Sequence, residues 1–295
     1  MKIVVPIKQV PETSNVKMDP ETGTMIRSGV ETVVNPLDLY AIEAALTLRE
    51  RYGGSVTAIT MGPPPAEKAV REAIAMGCDD GVLCSDRRFG GADTWATSYT
   101  VAAAIRSLGE FDLIITGERA TDGDTAQVGP GIAAWLDVPL ATYVAHMPVP
   151  ADDGAGTGQY GARANAASAG NDARGTMSAA TGPNTKFAAA GPSGSGPDRV
   201  IVERLVEEGY QVLELPLPAL ITVVKEIAAP RLPTLRGKRR AIAADVPVLG
   251  ADEIDVDPAK LGLRGSPTKV VKIETPKVTR GGRVVWALDF TVPRL

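Results

Sequence analysis

The sequence predicts an α/β fold built on a parallel sheet that helices cover on both faces. Short apolar runs rich in β-branched residues alternate, through residues 3–147, with longer segments whose apolar residues recur at helical spacing. Gly77 and Gly109 follow two of these helical segments, at positions where helices commonly end. Strands that alternate with helices in this way are typical of a parallel sheet.

The predicted elements follow one another in a regular order. Strands are predicted over residues 3–7, 55–62, 81–85, 111–117 and 139–147. Helices are predicted over residues 37–52, directly after Pro36, and over residues 66–77, 92–109 and 124–137. Parallel sheets of this kind bind ligands at the carboxyl ends of their strands, so the loops after the strands hold the candidate site.

Two stretches interrupt the alternation. Residues 8–35 form a long connection, and DPETGT (19–24) predicts the turn of a hairpin flap. Residues 151–197 contain 13 Ala, 10 Gly and no Val, Ile or Leu, so they cannot bury enough apolar surface to offset the entropy of ordering. We predict a disordered, low-complexity insertion there. Its GTGQYG (156–161) matches a dinucleotide-binding pattern but lacks the strand before it and the helix after it that such a site needs.

Regular sequence resumes after the insertion. Residues 199–224 predict two strands joined at Glu207-Glu208-Gly209 and a third strand after Pro218, so the insertion lies next to a hairpin. Residues 225–295 are rich in proline and show few helical periods. We therefore predict an α/β domain over 1–224 and an extended C-terminal arm over 225–295 that needs a partner surface to become ordered.

Composition excludes several classes of function. A net charge of −4 and a pI of about 5.3 argue against a nucleic-acid-binding protein. Cys78 and Cys84 fit neither a disulfide framework nor a metal site, and a reducing cytoplasm is the expected compartment. We expect no membrane span, because no apolar run approaches the required length, and we interpret MKIVVPIKQVPE (1–12) as a strand and not as a signal peptide. It also shows no Ser-His-Asp, Cys-His or HExxH arrangement, so we expect no catalytic residue of these kinds and no metal.

The segment TGERATDGDTAQVGP (116–130) is the main candidate for binding. The start of the fourth predicted helix offers free N–H groups and the positive end of the helix dipole, which together bind anions. Thr125 and Gln127 can add donors to a phosphate, and Asp122 or Asp124 can accept from ribose hydroxyls. The alternative is that Asp124 or Thr125 only caps the helix. No Lys or Arg stands at the helix start, which favours a nucleotide that is held over a triphosphate that is hydrolysed.

Three other strand ends can complete such a pocket. Pro6 to Val10 follow the first strand, Met61-Gly62-Pro63 follow the second, and Ala92-Asp93-Thr94 open the third helix. Asn35-Pro36-Leu37-Asp38 open the first helix, with Asn35 expected as its cap. Each of these segments can equally be an ordinary turn or cap.

Four motifs in order resemble the β subunit of electron transfer flavoproteins. They are VVPIKQVPE (4–12), VNPLDLYAIEAAL (34–46), TGERATDGDTAQVGP (116–130) and VERLVEEGYQVLELPLPALIT (202–222). The resemblance covers nearly the whole chain except residues 151–197, which are not a feature of that family. It implies an adenine-nucleotide-binding, Rossmann-like domain with a C-terminal hairpin and arm, and a partner α subunit that carries FAD.

The resemblance also implies two alternative roles. In one branch of the family the β subunit holds a structural AMP and shuttles electrons from acyl-CoA dehydrogenases. In the bifurcating branch the same pocket holds the ADP part of a second FAD. That flavin takes electrons from NADH and divides them between ferredoxin or flavodoxin and the α-subunit FAD, which serves a dehydrogenase or quinone reductase. DGDTAQVGP (122–130) and LGLRGSPTKV (261–270) favour the bifurcating branch. Oxidoreductase activity is then expected within the αβ complex.

The resemblance carries the nucleotide contacts onto this sequence as a set of loop and helix-start residues. They are Pro6, Asn35, Pro36, Leu37, Asp38, Met61, Asp93, Thr94, Thr97, Asp122, Gly123, Asp124, Thr125, Ala126, Gln127, Val128, Gly129 and Pro130. LPTLRGKRRA (232–241) resembles the family's loop for docking dehydrogenases, with Leu235 as its apolar anchor. A free-standing adenine-nucleotide sensor is the remaining alternative, although the glycine- and serine-rich phosphate motifs typical of such proteins are missing from the sequence.

Overall fold

A computed structural model describes residues 1–12, 31–147 and 198–269. The predicted flap turn at 19–24, the predicted insertion at 151–197 and the arm beyond residue 269 lie outside these residues. Within them, no helix combines the length and the apolar character needed to cross a membrane.

The described residues form strands and helices in an alternating order. Strands β1 to β11 span Lys2–Pro6, Gln9–Pro11, Thr32–Val34, Ser55–Met61, Asp80–Cys84, Leu113–Gly117, Leu140–His146, Arg199–Val206, Gly209–Pro216, Ala219–Val223 and Val248–Leu249. Helices α1 to α6 span Pro36–Tyr52, Glu67–Met76, Thr94–Ser107, Val128–Leu136, Leu235–Ala243 and Gly262–Gly265.

One nine-stranded sheet organises the molecule, in the order β11-β5-β4-β1-β6-β10-β7-β8-β9. Neighbours from β11 to β7 run parallel, and β8 and β9 continue the sheet as an antiparallel hairpin. The predicted α/β fold with a parallel sheet is confirmed. The antiparallel pair β2–β3 stands apart and forms the base of the predicted flap, with Gln9 opposite Val34.

Apolar clusters cover both faces of the sheet. This is expected for strands whose apolar residues form continuous runs and do not alternate with polar ones. On one face, α1 and part of α2 pack against side chains such as Ile3, Val5 and Ile115. On the other face, α3 and α4 pack against Val4, Ile114 and their neighbours. Because successive residues of a strand point to opposite faces, a continuous apolar run is what a doubly covered strand requires.

The strand order reverses at β1. From β1 the chain moves outward through α1 to β4 and through α2 to β5, and α3 then returns it to β6 on the other side of β1. Helices on the two sides of this point diverge, which leaves a crevice at the carboxyl ends of β1 and β6. The loop after β6, which begins at Glu118, starts at this edge of the sheet.

The C-terminal segment from residue 225 to 269 lies against the chain's own α/β body. Helix α5 packs on α2, where Ala241 and Val246 are buried with Ile74 and Leu83. Strand β11 then adds to the sheet edge in parallel with β5. The prediction of an extended arm rested on the many prolines and few helical periods of this segment. Helix α5 gave a weak helical pattern because Ala241 is the one buried residue among its nine. A further contact of this segment with a partner stays a prediction.

Arg231 fastens this segment to α1. Its guanidinium donates to both oxygens of Glu43, with Nε–Oε2 and Nη2–Oε1 distances of 2.8 Å, and to Glu50 at 3.1 Å from Nη2 to Oε2. The backbone N–H of Arg231 also donates to Glu43. Burial acts to raise the pKa of Glu43, but the hydrogen bonds from Arg231 hold that pKa below its usual value. The carboxylate thus stays ionised although its side chain is almost buried.

We expect Arg231→Met to lower the free energy of unfolding by about 1–3 kcal/mol, because it leaves the Glu43 carboxylate buried without its cation. Urea denaturation measures this change. The matched control is Arg199→Met, whose exposed ion pair with Glu214 (2.7 Å) should contribute nothing measurable. Equal effects of the two substitutions would contradict the clamping role of Arg231.

Candidate functional site

The carboxyl edge of the sheet gathers the segments that the sequence singled out. Pro6 ends β1, Met61 ends β4, and the loop after β6 runs from Glu118 to Gln127. The starts of α1 and α3 lie at the same edge, because helices that follow parallel strands begin where the strands end. Among the predicted contacts Pro6, Leu37, Met61, Thr94 and Thr97 are partly buried and Pro36 is exposed, so they line the edge without forming its core.

The loop after β6 is longer than predicted, because α4 begins at Val128 and not at Asp124. Asp124 and Ala126 adopt left-handed backbone angles, with φ of 51° and 53°, which a helix start does not allow. The predicted capping of α4 by Asp124 or Thr125 is therefore wrong. The N-cap is Gln127, whose side chain makes no capping hydrogen bond in the part of the chain that the structure describes.

This arrangement leaves the first turn of α4 suited to an anion. The first N–H groups of a helix have no partner within the helix, and here the N-cap side chain does not take them up. Pro130 has no N–H, so Val128 and Gly129 present the donors of this turn. Gly129 also sits tightly against Thr116 and Thr222, where an added Cβ would lie 2.9 Å from the side chains of both. The N-terminal turn is thereby held against the ends of β6 and β10.

Two basic side chains pair with acidic residues of the loop. Both lie in segments that the sequence singled out, 6–10 and 116–130, but neither was named as a contact. Lys8, two residues after the end of β1, places Nζ 2.7 Å from Oδ1 of Asp122. Arg119 places Nε 3.2 Å from Oδ1 of Asp124. Lys8 and Asp122 are separated by 114 positions in the chain, so no local pattern could pair them. The signal was the position of Lys8 at the end of a central strand, within VVPIKQVPE.

The start of α1 differs from the expected cap. Asn35 occupies the N-cap position, yet its side chain makes no capping bond to α1 within the described residues. Its Nδ2 donates instead to Asp38 Oδ1 (3.0 Å) and to the carbonyl of Arg119 (2.9 Å), and its Oδ1 accepts from the N–H of Thr121 (3.1 Å). Asn35 therefore occupies the predicted N-cap position, but its side-chain amide bonds to the loop after β6 and does not cap the helix.

Asp38 is buried beside Asn35. Its Oδ2 accepts from the N–H of Lys8 at 2.7 Å, and its Oδ1 accepts from Asn35. Burial raises the pKa of this carboxyl to about 7, against the hydrogen bonds from Asn35 and Lys8 that favour its ionised form.

The start of α3 is capped by Asp93, whose Oδ1 accepts from the N–H groups of Trp95 and Ala96 at 3.0 Å. The second carboxylate oxygen accepts from the N–H and the hydroxyl of Thr268, at 3.0 and 2.7 Å. Burial acts to raise the pKa of Asp93, but these hydrogen bonds together keep it below the usual value. The segment LGLRGSPTK (261–269) therefore reaches the edge of the site, a contact between positions 175 apart that the sequence did not reveal.

Thr94 connects α3 to the loop. Its hydroxyl donates to Oε1 of Gln127 at 2.8 Å. Asp122, Gly123, Asp124 and Thr125 are exposed beside this link, and no neighbouring heavy atom lies within 4 Å of a Cβ placed on Gly123. The loop thus presents exposed hydroxyl and N–H groups beside two carboxylates that pair with Lys8 and Arg119.

This donor set fits the phosphate and ribose of a nucleotide and not a metal. Across residues 1–12, 31–147 and 198–269, no three His, Cys, Asp or Glu side chains are placed to hold a metal ion. The uncapped turn of α4 supplies N–H donors for phosphate. The ion-paired carboxylates of Asp122 and Asp124 are placed to accept from hydroxyl groups. The donors and carboxylates of the site therefore suit the phosphate and the hydroxyl groups of a nucleotide.

The raised pKa of Asp38 predicts a dependence of stability on pH. The unfolded carboxyl titrates near 3.8 and the folded one near 7, so the stabilising contribution is complete below about pH 4 and is lost as the pH rises to about 7. At about 1.4 kcal/mol per pKa unit, we expect the free energy of unfolding to fall by about 4 kcal/mol across this window. Asp38→Asn should abolish this dependence on pH, because the amide does not titrate. Urea denaturation of wild type and variant at several pH values gives the difference. A difference that does not change between pH 5 and 8 would show that Asp38 is ionised throughout.

Comparison with known proteins agrees with the fold. Residues 22–192 match the model of the electron transfer flavoprotein domain. A β subunit of electron transfer flavoprotein from Thermoanaerobacterium thermosaccharolyticum is 40% identical over 285 residues, which cover 96% of this chain and 92% of the relative. One from Clostridium acetobutylicum is 42% identical over 97% of this chain and 92% of its own length. The caffeyl-CoA reductase-Etf complex subunit CarD of Acetobacterium woodii is 39% identical over 97% of this chain and 92% of its own length. The chain therefore belongs to the electron transfer flavoprotein family, among its β subunits.

Proposed function

We propose that this chain is the β subunit of an αβ electron transfer flavoprotein and that it binds FAD at the carboxyl edge of its sheet. In this role it passes electrons from NADH to ferredoxin or flavodoxin and to the FAD of the α subunit. The observation that carries the proposal is the loop from Glu118 to Gln127, which is exposed over residues 121–125 and follows β6 beside the reversal of strand order.

The protein's part in this function is to hold and orient the nucleotide. The N–H groups of Val128 and Gly129 would bind the phosphate, with Thr125 and Gln127 beside them. Asp122 and Asp124 would accept from ribose hydroxyls, while Lys8 and Arg119 offset their charge. When bound, FAD would supply the redox chemistry, since it accepts two electrons together and can release them one at a time.

FAD is favoured over AMP because polar contacts continue from the loop to the start of α3 and to residues 261–269. The segment 261–269, which resembles the bifurcating branch, contacts Asp93 at the start of α3. Thr94 joins that helix start to Gln127, so the donor surface continues past the turn of α4 toward this segment. A nucleotide longer than AMP can use such a continuation. The alternative is a structural AMP in the same loop and a simple electron shuttle.

An acyl-CoA-related oxidoreductase is the proposed partner for the electrons. The name of the Acetobacterium woodii relative joins it to a caffeyl-CoA reductase. In this chain Leu235 is 81% exposed at the start of α5, and Leu232 and Ile242 are exposed to a similar extent. Three exposed aliphatic side chains with Arg236, Lys238 and Arg239 around them form an apolar anchor with a basic rim, suited to a partner with an acidic rim.

The identity of the nucleotide can be counted directly. The chain is co-expressed with its α subunit, the αβ complex is purified, and the nucleotides are released with acid and quantified. We expect about two FAD per complex and little AMP. One FAD and one AMP per complex would instead support the electron-shuttle alternative, and a complex with FAD on the α subunit alone would contradict nucleotide binding at this loop.

A charge placed at Gly123 tests the position of the phosphate. The backbone of Gly123 lies outside the left-handed region and an added side chain meets open space, so both Gly123→Glu and Gly123→Gln should fold as wild type. We expect Gly123→Glu to lower nucleotide retention by about tenfold through charge repulsion, and added salt to reduce the loss. Gly123→Gln is the neutral control of the same size. Equal losses in the two variants would indicate steric exclusion and not repulsion of a phosphate.

Removing the apolar anchor tests the docking surface. Leu235→Asp should leave stability unchanged, since the side chain is exposed, and should slow electron transfer to the dehydrogenase by about tenfold or more, as for loss of an interface anchor. The rate is followed from flavin absorbance at limiting partner concentration. The control, Leu108→Asp at the far end of α3, should have no effect on this rate. Wild-type rates with Leu235→Asp would place docking elsewhere.

A further inference from the structure

We infer that Asn35 and Asp38 are positioning residues, which set the path of the loop after β6 and do not themselves contact the nucleotide. The inference rests on the proposed function, because the loop is the part of the site that would hold the phosphate. It departs from the family resemblance described under Sequence analysis, which carried both residues over as nucleotide contacts.

The amide of Asn35 is fully engaged within the protein. An Asn side chain offers two N–H donors, and here one goes to Asp38 and the other to the carbonyl of Arg119. Its oxygen accepts from the N–H of Thr121. Asn35 is 0% exposed, so no donor and no surface is left for a ligand.

The two bonds to the loop act as a clamp on its first turn. They take the carbonyl of Arg119 and the N–H of Thr121, the two backbone groups on either side of Ala120. A side chain that pairs with both fixes the direction of the chain as it leaves β6. Because the loop that follows is exposed and includes two left-handed residues, this anchor decides where its donors point.

Asp38 holds Asn35 in this orientation and joins the end of β1 to the same cluster. Its carboxylate accepts from Asn35 on one oxygen and from the N–H of Lys8 on the other. Asp38 is 6% exposed, and Gly117 lies so close that an added Cβ would come within 2.5 Å of Oδ1. One buried cluster therefore connects Lys8, the start of α1 and the loop after β6.

The cluster has a counterpart at the opposite end of the sheet. There the buried carboxylate of Asp112 accepts from the N–H of Lys2, at 2.6 Å, just as that of Asp38 accepts from the N–H of Lys8. Both carboxylates are buried, and each binds a backbone group next to or within β1. Asp112 lies far from the loop, so it serves as a control for the general cost of losing a buried polar group.

The test compares Asn35→Ala and Asp112→Ala in the full αβ complex, stripped of nucleotide. The first readout is the rate of trypsin cleavage after Arg119, whose own carbonyl Asn35 holds, followed by mass spectrometry. The second readout is the dissociation constant for AMP, measured by calorimetry. AMP is a suitable probe because FAD contains the same AMP moiety. We expect Asn35→Ala to raise both the cleavage rate and the dissociation constant for AMP by about tenfold, as for the loss of buried hydrogen bonds. Asp112→Ala should change each of these quantities less than twofold.

Two results would overturn the inference. If Asn35→Ala is cleaved after Arg119 at the same rate as wild type, the Asn35 side chain does not hold the loop. Weaker AMP binding with unchanged cleavage would make Asn35 a direct contact of the nucleotide. Failure of the proposed function would look different, because wild type itself would then not bind AMP, whereas the cleavage rate reports positioning without any nucleotide.

A measurement on wild type covers the case in which Asn35→Ala does not fold. Hydrogen exchange resolved to single amides compares Thr121, whose N–H donates to Asn35, with the exposed Gly123 in the same loop. We expect exchange at Thr121 to be at least tenfold slower than at Gly123 after correction for intrinsic rates. Equal rates at the two amides would overturn the clamp.

Discussion

The parallel pairing of β1, with β4 on one side and β6 on the other, is the constraint on which the rest of the molecule depends. Parallel neighbours need crossover helices, and a central strand flanked by two such units forces the helices onto opposite faces. The divergence of α1 and α4 opens the crevice between them. Everything that the site uses, from Lys8 to the turn of α4, is delivered to that crevice by strands ending at one edge.

Polar groups brought into such a crevice must find partners where the helices close over them. The structure meets this requirement with buried hydrogen bonds and with ion pairs at the surface. The buried amide of Asn35 and carboxyl of Asp38 bond to each other and to backbone, whereas the exposed Asp122 and Asp124 pair with Lys8 and Arg119 near water. The buried pair thus bonds to the backbone of the loop through Asn35, and the exposed pairs place charged groups at its surface.

The order of strands and helices up to His146 could be predicted from sequence, because periodicity and terminal glycines are local signals. The start of α4 could not, since Asp124 and Thr125 are typical helix caps and a left-handed backbone at Ala126 leaves no trace in composition. Contacts such as Lys8 with Asp122, or Thr268 with Asp93, depend on which strands become neighbours. That choice is made by the packing of the whole domain and not by any segment.

The place of β10 in the sheet has a consequence for the protein as it is synthesised. Although it comes late in the chain, β10 lies between β6 and β7, so the edges of those strands have no proper neighbour until residues 219–223 leave the ribosome. Ala219 follows His146 by 73 positions, which at roughly 5–20 residues per second is a delay of about 4–15 s. During that interval the nascent domain exposes two apolar strand edges, and other nascent chains or chaperones compete for them until the sheet closes.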